Sequence, residues 1–244
     1  MKLSELQLST IDEYIETINR HWNEKQGNYL YIDDQYKVRE SDKYKPVLSF
    51  DSIRLGDEML KKTFSDMKNN PTETNIAMVV TALDSLYHTQ LKDPMRIAKK
   101  IYNLFSEEKN ILDEIINIKK ENDCEAQVRS ELIDKITCID KSEGTYIYSF
   151  ASKFCNWLNP KAFPIFDRYV VCLLTYYMSC DKSKMGRSSF FINMYDEYIK
   201  NITDYSYKEV DQALWTYGKL LEQMLKIKDM KVSWESVSYI KNEN

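Results

Sequence analysis

The chain has 244 residues, a formal net charge of −4, 30% charged residues, and only five glycines and five prolines. So few chain-turning residues exclude a loop-rich or all-β protein, and the short, interrupted apolar runs exclude a membrane span of ~18 residues. The acidic balance gives no overall pull toward nucleic acid, so any such binding needs a local basic patch.

Five scattered cysteines without a CxxC pair, alongside two histidines, give neither a disulfide framework nor a zinc site, so no metal and no cofactor are expected. The opening MKLSELQLSTIDEY carries acids where a signal peptide is apolar, and an intracellular, cytoplasmic protein is expected. Eighteen tyrosines read first as amphipathic packing and second as base-stacking platforms.

In chain order, Ile11, Ile15, Ile18 and Trp22 recur at spacings of three and four and predict an amphipathic helix over 9–25, opened by Ser9 and Thr10. From Gly27 to Phe50 tyrosines mix with charges, which predicts an irregular segment with room for a short hairpin. A helix over 53–67 should stop at Asn69-Asn70-Pro71, because proline cannot continue it and restrains the residue before it. Thr74 is the expected cap of the next helix, whose apolar face carries Ile76, Val79, Val80, Leu83, Leu86 and Tyr87. Pro94 suits the first turn of another, with Ile97, Ile101, Leu104 and Phe105 inward. Further helices are predicted over 107–120, 125–139, 147–158, 167–180, 188–202 and 206–226. His88 lies where a helix should end and reads as a structural or helix-end residue.

These elements predict an all-α globule. Its expected parts are an N-terminal helix and Tyr-rich extension over 1–53, a core over 54–226 and a tail over 227–244. The sequence contains no Walker A loop, GxGxxG, GxSxG, HExxH or EF-hand loop, which leaves nucleotide-driven, serine-hydrolase, zincin and calcium chemistry without support.

Three segments in order carry a resemblance. The first is Asn69-Asn70-Pro71 followed by NIAMVVTALDSLYHTQLKD, ending in Gln90 and Asp93. The second is NPKAFPIFDRYV, a proline-rich approach to Asp167 at a helix start. The third is VDQALWTYGKLL, with Gly218 and Lys219. Together they resemble the helix-hairpin-helix DNA glycosylases of the endonuclease III and 8-oxoguanine glycosylase type, and the resemblance implies a two-lobed helical bundle. The N-terminal fifty residues lie outside the resemblance.

The resemblance implies base excision from DNA, duplex or single-stranded, on a flipped base. Asp167 takes the place of the family's catalytic carboxylate, which stabilises the cationic sugar or activates the attacking nucleophile. Gln90 is implied as the wedge that fills the vacated stack, Tyr87 and Trp215 as pocket walls, and Gly144, Lys161, Arg168 and Lys219 as DNA-backbone contacts. Family members carry a Gly-x-Gly hairpin, whereas here KSEGTYIYSFASK offers only Gly144.

The Schiff-base lysine of bifunctional members stands eighteen or nineteen residues before the Asp, where this chain has Ser149 and Tyr148. That replacement implies a monofunctional, water-using enzyme with Tyr148 and Ser149 beside the substrate. Lys153, fourteen residues before Asp167, is the other candidate amine if the helix is shortened or shifted. Otherwise it reads as an exposed helix lysine or a phosphate contact. No cysteine follows Cys180, so the iron–sulfur loop of some relatives is missing. Lys141, Lys153, Lys161, Arg168, Lys182, Lys184 and Arg187 predict a basic face, or simply a solvated one.

Two alternatives stand beside this reading. One is a catalytically degenerate module of the same fold that binds nucleic acid or a partner. The other is a helical interaction protein with no nucleic-acid role.

Overall fold

The computed structural model describes residues 2–24, 29–42, 48–119, 123–143, 146–202, 205–234 and 237–240. It is mostly helical. Among the described residues there are ten α-helices: α1 (Ile15–Asn23), α2 (Phe50–Asn69), α3 (Glu73–Tyr87), α4 (Pro94–Glu107), α5 (Ile111–Asn117), α6 (Asp123–Thr137), α7 (Tyr148–Leu158), α8 (Arg168–Met178), α9 (Ser188–Lys200) and α10 (Tyr207–Ile227). The all-α expectation needs one amendment, because β1 (Tyr29–Ile32) and β2 (Val38–Ser41) form an antiparallel hairpin with Tyr29 opposite Ser41 and Ile32 opposite Val38. Asp33 makes the turn. Its Oδ1 accepts the amides of Gln35 at 2.9 Å and Lys37 at 3.0 Å, an Asx-type closure, and Tyr36 takes a left-handed φ of 60°.

The chain divides into two compact units, each built from separated segments. The first comprises 1–54, 167–185 and 194–238, with α1, the hairpin, α8 and α10 at its centre. Tyrosines fill this core: Tyr14, Tyr169, Tyr195 and Tyr217 are all at most 1% exposed, which answers their abundance with packing. The ring of Tyr14 stacks on Tyr217 with centroids 4.3 Å apart, and the hydroxyls of Tyr14 and Tyr177 share a hydrogen bond of 3.1 Å. The Tyr217 hydroxyl donates to the Tyr36 carbonyl at 2.8 Å, tying the hairpin turn to α10. Helices α8 and α10 approach closely at Gly218, where an added Cβ would stand 2.6 Å from the Cβ of Tyr169.

The second unit comprises 55–166, 186–193 and 239–244. Helices α3 and α4 pair against each other, and α7 packs on both α3 and α6. The core is aromatic where α2, α4 and α7 meet: Phe154 lies 5.7 Å from Phe64, 5.7 Å from Phe150 and 6.3 Å from Phe105 between ring centroids. The cap of α3 is Thr72 and not Thr74. Thr72 itself is extended, at φ −72° and ψ 157°, and its Oγ1 accepts the Asn75 amide at 3.2 Å, while Thr74 already lies inside the first turn. His88 ends α3 in a left-handed conformation with φ 48°, the helix-end role its position implied.

No helix is long and apolar enough to cross a membrane, a statement confined to the described residues.

Candidate functional site

Helix α7 carries a buried polar face in the second unit. Ser149, Ser152, Lys153 and Asn156 stand at spacings of three and four along one face, and three of them are buried: Ser152 at 0%, Lys153 at 3% and Asn156 at 4% exposure. A lysine is almost never so buried without polar partners. Lys153 Nζ donates to Ser149 Oγ at 2.7 Å and to the carbonyl of Phe166 at 3.4 Å, and it lies 5.9 Å from the centre of the Tyr87 ring. The expectation of an exposed helix lysine or a surface phosphate contact is therefore overturned. Tyr87 and the packed turn after α7 cover the position from which the four-carbon stem would otherwise reach water.

That turn, 159–166, is the approach to Asp167, and buried side chains hold it along its length. Asn159 Nδ2 reaches the carbonyls of Ile115, Ile116 and Ile118 at 3.2, 3.1 and 2.9 Å. Arg129, 1% exposed, donates to the carbonyl of Ala162 at 2.8 Å, and Asn156 Nδ2 to that of Phe163 at 2.6 Å. Ser152 Oγ accepts the amide of Phe166 at 3.0 Å. A prolyl turn has few amides with which to hydrogen-bond itself, so these side chains take over its polar groups. The next residue in the chain, Asp167, belongs to the first unit and is the N-cap of α8. Its Oδ1 accepts the Tyr169 amide at 2.9 Å.

The α3–α4 turn is equally specified. Asp84 Oδ1 accepts the Thr89 hydroxyl at 2.6 Å and the Leu91 amide at 3.0 Å. Between them Gln90 is exposed and held at φ 60°, a left-handed conformation costly for a residue with a Cβ. Asp93 caps α4 by accepting the Arg96 amide at 3.0 Å.

Beneath this turn is a cavity of about 120 Å³, bounded by Gln90, Asp93, Arg96, Asp140, Tyr146 and Ser149 among others. Asp140, 2% exposed, is neutralised by Arg96 Nη2 at 2.8 Å and Lys100 Nζ at 2.6 Å. No described side chain caps the start of α7, where Ile147 occupies the N-cap position on the same wall. Tyr148 also lines the cavity, but its ring is 3% exposed and packs on Phe166 at 4.3 Å and Tyr239 at 5.4 Å. Burial first, and then the charge of Asp134, push its phenol well above the ordinary range.

The sequence-predicted residues thus divide. Gln90, Tyr87, Tyr148, Ser149, Lys153 and Lys161 lie in the second unit, and Asp167, Arg168, Trp215 and Lys219 in the first. Ser149, Lys153 and Tyr87 are brought together, whereas Lys161 is exposed, with its amide donating to Asn159 Oδ1 at 3.3 Å. Gly144 and the side chain of Lys141 lie outside the described residues. In the first unit Arg168 is engaged, with Nη2 2.6 Å from the Tyr169 hydroxyl, which itself donates to Glu222 at 2.9 Å. Lys219 Nζ lies 5.1 Å from the Tyr169 ring centre and 5.5 Å from that of Trp215, and Trp215 meets Trp22 edge-on at 6.2 Å.

Sequence reading named Ser149 and Lys153 but missed Asp84, Arg129, Asp140 and the hydrogen bond between that serine and lysine. For the last, the signal was the polar face of α7 set against Phe150, Phe154 and Trp157.

Residues 10–162 match a family model described as HI_0787_N, N-terminal domain. A curated relative, an uncharacterized protein of Haemophilus influenzae, is 29% identical over 145 residues, covering 56% of this chain and 70% of that protein. No solved structure matches. The matched span takes in the α3–α4 turn, Ser149 and Lys153 and stops before Asp167. As it covers more than half of the 244 residues, the chain belongs to the HI_0787_N N-terminal-domain family.

Proposed function

We propose that the protein excises a base from nucleic acid by chemistry like that of the helix-hairpin-helix glycosylases. The observation that carries this reading is the burial of Lys153. An amine held by Ser149 Oγ and the Phe166 carbonyl, one residue before the carboxylate that the resemblance assigns to catalysis, is an expensive arrangement for a purely structural role. In this reading Asp167 stabilises the positive charge that builds on the sugar as the base departs. Lys153 supplies the nucleophilic amine, in place of the water implied by Ser149 and Tyr148 standing at the family's lysine position.

The α3–α4 turn supports the same reading. A strained and exposed Gln90, held from below by Asp84, is a suitable wedge for an unstacked position. The uncapped start of α7, flanked by Arg96, suits a backbone phosphate.

The test is a panel of single-stranded and duplex oligonucleotides, each with one modified or mispaired base, assayed for abasic sites. At least one substrate should lose its base, and Asp167→Asn should slow that loss by about 10²-fold or more, the scale of removing one preorganised electrostatic group. Absence of base release from the whole panel, or an unchanged rate in Asp167→Asn, would overturn the proposal.

A further inference from the structure

We propose that Ser149 is the proton relay and positioning residue of the Lys153 amine, a role that rests on the base-excision reading. To attack a sugar carbon, Nζ must give up a proton: the Nζ–C bond forms, the bond from the sugar to the base breaks with its electron pair leaving on the base, which takes up a proton from water, and one N–H proton has to leave the nitrogen. Ser149 Oγ already accepts an Nζ–H at 2.7 Å. Its own hydroxyl proton remains to be donated onward. The balance closes when Oγ takes the proton from Nζ and passes its original proton to water, with no net change at the serine.

Geometry supplies the route for that water. Ser149 is half-buried and borders the cavity of about 120 Å³, whereas Lys153 is almost completely enclosed. A space of that size holds several water molecules, and its polar wall, with Gln90, Asp140 and Arg96, can hydrogen-bond them. The hydroxyl thus stands between an enclosed amine and a hydrated recess. It sits one helical turn before Lys153, so the α7 backbone fixes the pair. Because Nζ also reaches the Ser149 carbonyl at 3.5 Å and the Phe166 carbonyl at 3.4 Å, loss of the hydroxyl would leave the amine aimed at acceptors that cannot pass a proton on.

The experiment is borohydride trapping of the covalent adduct on an oligonucleotide bearing one abasic site, measured as a single-turnover rate. Binding is measured separately by fluorescence anisotropy on the same strand, and folding by thermal melting. The wild type should cross-link, and Lys153→Gln should not. Ser149→Ala should cross-link about 10²-fold more slowly at saturating oligonucleotide, the ordinary weight of a general acid–base group, and should melt at a lower temperature because the buried amine loses its hydroxyl partner. Ser149→Thr, which keeps the hydroxyl, should restore most of the rate.

If Ser149→Ala fails to fold, Ser149→Cys takes its place and should also be slow, as a thiol is a poor acceptor. Equal rates in wild type and the hydroxyl-free variant would overturn the relay and leave base excision standing. A wild type that does not cross-link, or a Lys153→Gln variant that does, would overturn the Lys153 amine and its relay together, whereas base excision itself falls only if the oligonucleotide panel shows no base release.

Discussion

Gln90 separates stability from function at the scale of one residue. Its left-handed φ of 60° costs about 1–2 kcal/mol in a residue with a Cβ, whereas glycine adopts it without steric penalty but loses roughly 0.5–1 kcal/mol more backbone entropy on folding. Gln90→Gly is therefore expected to match the wild type in thermal stability or exceed it by up to about 1.5 kcal/mol. If the side chain is a wedge, the same variant should bind an abasic duplex at least several-fold more weakly. A variant that melts like the wild type and binds equally well would remove Gln90 from the site. Lys153 teaches the complementary lesson. Its identity was readable but its burial was not, because lysine on an otherwise amphipathic helix normally extends its stem to water and only the packing of Tyr87 and the 159–166 turn prevents it here.

At the scale of elements, helices were legible because their period is local. Three-and-four spacing locates α3, α4 and α10 without tertiary information, and Asp167 at a helix start follows from side-chain capping alone. The turn that delivers Asp167 was legible only as a turn. Its polar groups are satisfied from α5, α6 and α7, so their partners depend on contacts that no spacing rule contains. Asn159 makes this dependence measurable. Its Nδ2 group is shared among three carbonyls at the end of α5, and a helix C-terminus leaves such carbonyls without partners of their own. Asn159→Ala should lower stability by about 1–3 kcal/mol, the penalty for stranding buried acceptors, as read from urea denaturation at constant m-value. A loss below about 0.5 kcal/mol would show that the carbonyls do not depend on Asn159.

For the whole molecule, the abundance of tyrosine becomes a statement about pH. Burial is the first cause that raises the phenols of Tyr14, Tyr148, Tyr177 and Tyr195 well above their usual range. The negative charge of Asp211 adds to it at Tyr195, and burial followed by the hydrogen bond to Glu222 pushes Tyr169 up to about 12. In the unfolded chain each would ionise near pH ~10. A raised folded-state pKa means that the unfolded chain releases these protons first. The stabilisation by neutral phenols is complete below pH ~10 and is lost as pH rises through the folded values, at about 1.4 kcal/mol per unit for each tyrosine. Because several act together, a native stability of roughly 5–15 kcal/mol should be exhausted within a few units. Tyrosinate absorbance and helical circular dichroism, followed together upward from neutral pH, should stay flat for these buried phenols and then change in one coincident, cooperative step above pH ~10. Titration of all the phenols with the helical signal intact would mean that the tyrosines are solvent-accessible and that the cores of the two units are not packed around them.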